Sequence, residues 1–228
     1  MRQMQKYKEG VYLVDKPSGP SSHDIVNYFR FHSGIKRIGH AGTLDPLASG
    51  LLIILVGREF TKQQSLYLKQ DKSYQVTARL GLSTDSYDTM GTTTHLAEWN
   101  EVASITKEEV LEALNKFKGE IQQTAPIFSA IKIKGQKLYD LARKGQSVEL
   151  PVRQVRIDQC DLTDFRLNQA AQTLELDLEI ACSSGTYIRS IVHDLGQNLK
   201  VGACVSKLRR TRIGNSKIES SIQLDRWG

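Results

Sequence analysis

Apolar runs and alternating apolar positions predict the strands of this chain. Residues 11–14 form a short apolar run, and residues 51–56 form a longer one bounded by glycine on both sides. The longer run predicts a strand that is buried on both faces. Strict alternation over residues 74–80 and 174–182 predicts two strands that turn one face to a core. A shorter alternation with lysines at residues 131–133 predicts one more strand.

Capping residues and a helical spacing of apolar positions predict the helices. The first begins after Ser21, which forms a capping box with Asp24, and ends at Gly34. A second covers residues 106–117, with a capping box at its start, and Gly119 stops it. Its apolar stripe consists of Val110, Leu111, Leu114 and Phe117.

Two further helices follow, a short one that ends at Gly145 and a longer one over residues 186–199. Residues 92–104 are the only stretch that predicts a long loop. Strands and helices without a regular alternation are typical of an α+β chain. With 228 residues the chain is long enough for one fairly large domain or two small ones.

Charge and cysteine content narrow the possible functions only a little. There are 31 lysines and arginines against 25 aspartates and glutamates, and the net charge of +6 is compatible with an anionic partner. The three cysteines are far apart and form no C-x-x-C pair, so a reducing cytoplasm is expected rather than a zinc site or a disulfide framework. Because the longest apolar run is too short to span a bilayer, no membrane association is expected. The sequence also has no phosphate-binding glycine motif, which disfavours nucleotide cofactors.

The clearest candidate for chemistry is Asp45, in the stretch GHAGTLDPLASG. Pro46 pushes the preceding residue away from the helical region, and the nearby glycines allow the backbone to turn tightly. The carboxylate would then lie on a stiff loop beside the buried strand of residues 51–56. An Asp-Pro pair alone usually marks only a turn, but His40 lies five residues earlier in the same loop. A single histidine with no second ligand nearby does not indicate a metal site.

A second candidate is the stretch CSSGTYIRSIVHDLG, residues 182–196, where a strand leads directly into a helix. Arg189 falls in the first helical turn, where the helix dipole does not favour a cation, so another anionic partner is expected. The alternative is that Arg189 pairs with a surface acid or reaches water. His193 and Asp194 are adjacent and point to different sides of a helix, and no G-x-S-x-G motif is present, so a serine hydrolase is excluded.

Together these motifs resemble the TruB-type tRNA pseudouridine synthases, which convert uridine 55 in the T-arm loop of tRNA into pseudouridine. Five blocks carry the resemblance: DKPSGPSSHD, RIGHAGTLDPLASGLLIILVGREFTK, KSYQVTARLGLSTDSYD, APIFSAIKIKGQKLYDLARKG and CSSGTYIRSIVHDLG, with KLRR after the last. The resemblance implies a mixed, mostly antiparallel central sheet that is flanked by helices and crossed by a catalytic cleft. It also implies tRNA as the partner, and no cofactor, metal or protein partner.

The resemblance assigns site residues as well. Asp45 matches the family's catalytic aspartate, Arg189 matches the arginine that pairs with it, and Tyr74 matches the tyrosine that stacks on the target base. The other matches are substrate-binding positions: His40 near the extruded nucleotide, Tyr187 and Leu208 in the uracil pocket, and Lys16 and Asp88 as supporting polar groups of the cleft.

The sequence departs from the family pattern in two respects. Many bacterial members continue into a C-terminal RNA-binding domain of the PUA type, whereas here we expect a single catalytic domain over residues 1–228 without it. Within the P-x-Y-S-A segment, Phe128 stands where a tyrosine is expected, and Ala125 replaces the first of a usual proline pair.

The implied reaction breaks the bond between C1′ and N1 of the uridine, turns the uracil, and joins C5 to C1′. A carboxylate suits this task because it can attack or stabilise an electron-poor anomeric carbon. The sequence leaves open whether Asp45 bonds to C1′, bonds to C6 or acts through an elimination. Two other functions stay open as well: a non-catalytic tRNA-binding module, and a nucleoside or glycoside hydrolase, which would normally need a second carboxylate.

Overall fold

A computed structural model of the chain describes residues 6–128, 132–133, 136–137 and 150–224. Within these ranges no helix is both long and apolar enough to cross a membrane. The predicted short helix that ends at Gly145 lies outside the described residues.

Helices and strands are interspersed along the chain. The elements up to residue 103 are β1 (Gly10–Lys16), α1 (Ser22–Ser33), β2 (Ile38–Ala41), β3 (Ser49–Val56), α2 (Arg58–Thr61), α3 (Gln64–Leu68), β4 (Lys72–Leu80), β5 (Leu82–Thr84), β6 (Thr93–Leu96) and α4 (Trp99–Ala103). The later elements are α5 (Lys107–Asn115), β7 (Gly119–Thr124), β8 (Lys132–Ile133), β9 (Gln136–Lys137), β10 (Val152–Asn168), β11 (Thr173–Cys182), α6 (Ile188–Asn198), β12 (Ala203–Ile213), β13 (Ser216–Lys217), a 3₁₀ turn (Ile218–Ser220) and β14 (Ile222–Gln223).

The described residues fall into two compact units. The first unit comprises Met1–Tyr74 with Leu208–Gly228, and the second comprises Gln75–Lys207. Strands β4 and β12 therefore each contribute residues to both units.

The sheet of the first unit is built around β3. Its strand order is β14–β1–β3–β12, and β2 also pairs with β3. Strands β1 and β2 run antiparallel to β3, whereas β12 runs parallel to it, with Arg210 opposite Gly50. Residues 50–56 are all buried, so the prediction of a strand buried on both faces is confirmed. One face of β3 packs in a core cluster that consists of Ala41, Leu51, Ile53, Leu55 and Ile213.

The second unit contains the longest strands. Its order is β12–β4–β11–β10–β7, and β10 pairs antiparallel with both β11 and β7. Helices α4 and α5 pack against β11 and β10, and α5 also contacts α6. The even-numbered residues from Leu174 to Cys182 are buried, so the predicted alternation of β11 is confirmed. The predicted α+β class with a mixed, mostly antiparallel sheet is confirmed as well.

Both predicted capping boxes are present, but three other local predictions were wrong. Helix α5 ends at Asn115, and Gly119 begins β7 instead of stopping the helix. Leu111 is 41% exposed, because the buried stripe follows a spacing of three and four residues from Val110 and leaves Leu111 outside it. Residues 92–104 are not a long loop, since they contain β6 and α4. Pairing with β5 orders the exposed strand β6, whose four residues show no apolar alternation of their own.

Candidate active site

Asp45 lies in the loop of residues 42–48, between β2 and β3 in the first unit. The loop is hydrogen-bonded to residues 18–22 on both sides of Asp45. The bonds run from Ser22 Oγ to Leu44 O at 2.9 Å, from Leu44 N to Ser22 Oγ at 2.8 Å, from Gly19 N to Pro46 O at 2.8 Å, and from Ser18 Oγ to Leu47 O at 2.8 Å. A fifth bond within the loop joins Ala48 N to Asp45 O at 3.1 Å. The carboxylate is therefore carried by a backbone that is fixed before and after it.

Arg210 on β12 holds the same loop through its side chain. The residue is only 1% exposed, and its guanidinium donates to Leu51 O at 2.8 Å and to Gly42 O at 2.9 Å. A longer bond of 3.5 Å reaches Thr43 O. Tyr74 raises the pKa of Arg210, against the larger lowering effect of burial. One buried cation thus connects β3 with the start of the Asp45 loop.

Two glycines make this arrangement possible. Gly42 has a φ of +92° and Gly50 a φ of +101°, a backbone region that residues with a Cβ rarely adopt. A Cβ on Gly50 would lie 2.3 Å from the Arg210 carbonyl oxygen, and one on Gly42 would lie 3.4 Å from Arg210 Nη1. The glycines therefore bring β12 and its arginine close to the loop.

Lys16, the last residue of β1, is a second buried cation near Asp45. Its side chain is fully buried, and Nζ donates to Pro17 O at 2.8 Å and to Pro20 O at 2.7 Å. Burial lowers the pKa of Lys16 from 10.5 to about 8, Asp45 acts in the opposite direction, and Arg210 lowers it further. Asp45 also favours the charged form of Arg210. The Asp45 carboxylate accordingly lies in the field of two cations that are shielded from water.

The other predicted site residues of the first unit are placed by β2, β4 and β12. Tyr74 and Leu208 are each 8% exposed. His40 on β2 has a buried Nδ1 that finds no hydrogen-bond partner among the described residues. Burial, and to a lesser degree Arg210, lowers the pKa of His40 below 6.5, so the imidazole is neutral at pH 7. Gln64 Nε2 donates to the His40 carbonyl at 2.7 Å and thereby fixes its backbone.

Arg189 and Asp88 form a buried pair in the second unit. Arg189 is the second residue of α6, and its Nη1 lies 3.6 Å from Asp88 Oδ2. Its guanidinium also donates to Ser86 O and, at 2.8 Å, to Phe128 O. Asp88 Oδ1 accepts bonds from Ser86 Oγ at 2.7 Å and from Met90 N at 3.0 Å. The expectation of an anionic partner for Arg189 is confirmed, whereas its predicted pairing with Asp45 stays a prediction.

Tyr187 is the N-cap residue of α6, and a buried glutamine fixes it. Gln123 Oε1 accepts from Tyr187 N at 2.7 Å, and Gln123 Nε2 donates to Tyr187 O at 3.0 Å. The start of the helix that carries Arg189 is therefore held in place through its own backbone. In the described ranges no group of three histidine, cysteine or acidic residues could bind a metal ion.

Two family models match the sequence. The model described as TruB family pseudouridylate synthase (N terminal domain) matches residues 30–188, and the model described as tRNA pseudouridylate synthase B C-terminal domain matches residues 189–226. The chain belongs to the TruB family. A protein of Chlamydia muridarum named tRNA pseudouridine synthase B is 45% identical over 214 residues, which cover 94% of this chain and 84% of that protein. A protein of the same name from Chlamydia pneumoniae is 43% identical over 215 residues, which cover 94% of this chain and 87% of the relative.

Solved structures agree with membership of the TruB family. The crystal structure of a Cbf5-Nop10-Gar1 complex contains a chain that is similar with a TM-score of 0.70 and 27% identity, over 97% of this chain and 53% of that one. An H/ACA RNP bound to a substrate RNA containing 2′-deoxyuridine contains a similar chain, with a TM-score of 0.66 and 25% identity over 94% of this chain and 50% of that one. This chain thus spans about half the length of those chains. The predicted family, fold and enzyme class, a pseudouridine synthase, are confirmed.

Sequence reasoning missed two residues that organise these sites, Arg210 and Gln123. The stretch KLRRTR is typical of a solvated surface, yet Arg210 is almost fully buried. A strand period of two places Arg210 on the same face as Leu208, and that spacing is the signal that could have indicated its burial. Nothing in the sequence around Gln123 marks it as the partner of Tyr187.

Proposed function

We propose that this protein converts uridine 55 in the T-arm loop of tRNA into pseudouridine, with Asp45 as the catalytic carboxylate. The observation that carries the proposal is the position of Asp45 on a loop that is hydrogen-bonded on both sides and lies near two buried cations. Membership of the TruB family, and relatives that are named tRNA pseudouridine synthase B, support the choice of tRNA as substrate.

Asp45 acts on the anomeric carbon or on the uracil ring of an extruded uridine. A carboxylate can stabilise the positive charge that develops at C1′ as the bond to N1 breaks, or it can form a covalent bond to the nucleotide. Lys16 and Arg210 each interact electrostatically with Asp45. They supply a fixed positive field in a site of low dielectric, where such a field acts more strongly than in water.

Tyr74 and Leu208 retain the uracil after the glycosidic bond has broken. Stacking of a base on an aromatic ring contributes roughly 1–3 kcal/mol, enough to keep a cleaved base from leaving before C5 attacks C1′. The product then has to lose its C5 proton, and we assign Tyr74 as the group that removes it.

We assign supporting roles to His40 and Arg189. Extruding a base from its stack costs a few kcal/mol, which contacts from His40 and from basic groups to the RNA backbone offset. A neutral His40 can occupy space near the extruded nucleotide without a charge of its own. In the second unit, the Asp88 carboxylate and two carbonyl oxygens orient Arg189, whose predicted role is to pair with Asp45.

The test is release of tritium from tRNA labelled at C5 of uracil. The wild-type protein should release one tritium for each uridine 55 converted, whereas Asp45→Asn should release none and still bind tRNA with nearly unchanged affinity. Asp161→Asn provides a matched control, because Asp161 is exposed and pairs with Lys118 at 2.8 Å. Normal turnover by Asp45→Asn would refute the assignment of Asp45.

The same assay separates the alternative functions. Tight tRNA binding by the wild-type protein with no tritium release would support a non-catalytic binding module. Free uracil among the products would support a hydrolase. Equal rates on whole tRNA and on an isolated T-arm stem-loop would show that the T arm alone supplies the substrate contacts.

A further inference from the structure

Tyr87 lies between two residues that bind Arg189 and has an unfavourable backbone conformation. Its φ is +63°, a region that residues with a Cβ rarely adopt, and such conformations persist only where the surrounding structure enforces them. Arg189 donates to the carbonyl oxygen of Ser86 and lies 3.6 Å from the carboxylate of Asp88. Because Tyr87 separates these two acceptors, its backbone angles determine whether both of them reach the guanidinium together.

The turn of residues 84–88 is held by backbone hydrogen bonds and by the ring of Tyr87. Tyr87 N donates to Thr84 O at 3.2 Å, and Val205 N donates to Tyr87 O at 3.0 Å. The phenol ring stacks on the imidazole of His193, with ring centroids 3.8 Å apart and planes inclined by 11°. The backbone bonds fix the turn to itself and to β12, whereas the ring fixes it to α6.

His193 and Arg189 approach this turn from the same face of α6. They are four residues apart, so their side chains are neighbours on the helix. Arg189 contacts the residues on either side of Tyr87, and His193 contacts Tyr87 itself. Nδ1 of His193 is buried and has no hydrogen-bond partner among the described residues. The imidazole therefore contributes to this contact through its ring face and not through a hydrogen bond of that nitrogen.

We propose that Tyr87 and His193 are positioning residues for the reaction, because their stacked rings hold the turn in the arrangement in which both acceptors bind Arg189. The inference rests on the proposed function, in which the role of Arg189 is to pair with Asp45. Without the stack, the backbone of Tyr87 is free to relax away from its positive φ, and one or both acceptors then turn away from the guanidinium. Arg189 would adopt several orientations, and a smaller fraction of the bound tRNA would meet a complete site.

The test compares His193→Ala with His193→Phe in the tritium-release assay at saturating tRNA. Alanine removes the stack, whereas phenylalanine keeps an aromatic ring in its place. We expect His193→Ala to lower kcat by about 10- to 100-fold with little change in KM, since misplacing a group by about 1 Å can cost about 100-fold. We expect His193→Phe to turn over at nearly the wild-type rate. Equal kcat in all three proteins, or equal losses in both variants, would overturn the proposal.

His32→Ala is the matched control. His32 lies on α1 and packs on the ring of Tyr28, with ring centroids 4.0 Å apart, so this change also removes a contact between a histidine and a tyrosine. It should lower the melting temperature and leave kcat at the wild-type value. A purely structural role of the stack between Tyr87 and His193 would give the same result in His193→Ala, and that result would overturn the proposal.

Variants of Tyr87 keep the proposal falsifiable if His193→Ala does not fold. Asparagine tolerates a positive φ but has no aromatic ring, whereas phenylalanine retains the ring. Tyr87→Asn should therefore lower kcat as His193→Ala does, and Tyr87→Phe should leave it nearly unchanged. Wild-type turnover in Tyr87→Asn would overturn the inference. Absence of tritium release by the wild-type protein would instead refute the proposed function, so the two failures are distinguishable.

Discussion

The buried ammonium of Lys16 leads to a quantitative prediction about stability and pH. Burial lowers its pKa from 10.5 to about 8. A fall of about 2.5 corresponds to roughly 3 kcal/mol, at 1.36 kcal/mol for each pH unit. Below pH 8 Lys16 is protonated in both the folded and the unfolded chain, and the folded protein bears this full cost.

The sign of the pH dependence follows from which state loses the proton first. Between about pH 8 and pH 10.5 the folded protein has released the proton and the unfolded chain still holds it, so the free energy of unfolding rises with pH. Above pH 10.5 both states are neutral, and the cost has disappeared. Lys16→Met has no charge at any pH, so its free energy of unfolding lacks this contribution.

Urea unfolding of wild type and Lys16→Met at a series of pH values measures the effect. We expect the stability of Lys16→Met relative to wild type to decrease by roughly 3 kcal/mol between about pH 7.5 and pH 10.5. Lost hydrogen bonds to Pro17 and Pro20 add an offset but do not change that trend. Lys62→Met is the control, because Lys62 is exposed and should show no such trend. A difference between Lys16→Met and wild type that stays constant over this range would refute the reasoning.

Two further predictions concern a glycine and a histidine. Gly50→Ala should lower the melting temperature by more than Gly19→Ala does. Both glycines have a positive φ, where a side chain adds a strain of about 1–3 kcal/mol, but only at Gly50 would the Cβ also meet the backbone of Arg210. Equal losses in the two variants would contradict this prediction. His193 stacks on Tyr87 at 3.8 Å, and burial lowers its pKa, so the neutral form is favoured in the folded state. The free energy of unfolding of the wild type should therefore fall relative to that of His193→Phe as the pH drops below 6.5. Unfolding free energies of the two proteins that change in parallel with pH would contradict this prediction.

Local signals made part of the fold predictable from sequence. The capping boxes of Ser21 and Thr106 depend only on residues three positions apart, and both form as predicted. Strand β3 was predictable because a continuous apolar run needs no knowledge of its neighbours. Strand β10 was not predicted, since register shifts near residues 157–159 and 162–164 change the phase of its side chains and hide the alternation.

The candidate site, like the fold, could be predicted from sequence only where the signal was local. Motif resemblance indicated Asp45, Tyr74 and Arg189, but it could not indicate what surrounds them. Asp88 lies far from Arg189 in sequence, and only the fold of the second unit brings the two within 3.6 Å. The burial of Arg210 likewise depends on β12 lying parallel to β3, a pairing that no local pattern encodes.

The hydrogen bonds between residues 18–22 and the loop of residues 42–48 determine when the catalytic loop loses its conformational freedom. Fixing the backbone of one residue costs about 1–2 kcal/mol in conformational entropy. Here that loss occurs during folding, because Ser22, Gly19 and Ser18 bind the loop without any RNA present. Were the loop to become ordered only on contact with tRNA, the same loss would be subtracted from the affinity. The free energy of tRNA binding thus remains available for extruding the uridine, and an enzyme with a disordered Asp45 loop would need a larger interface for equal affinity.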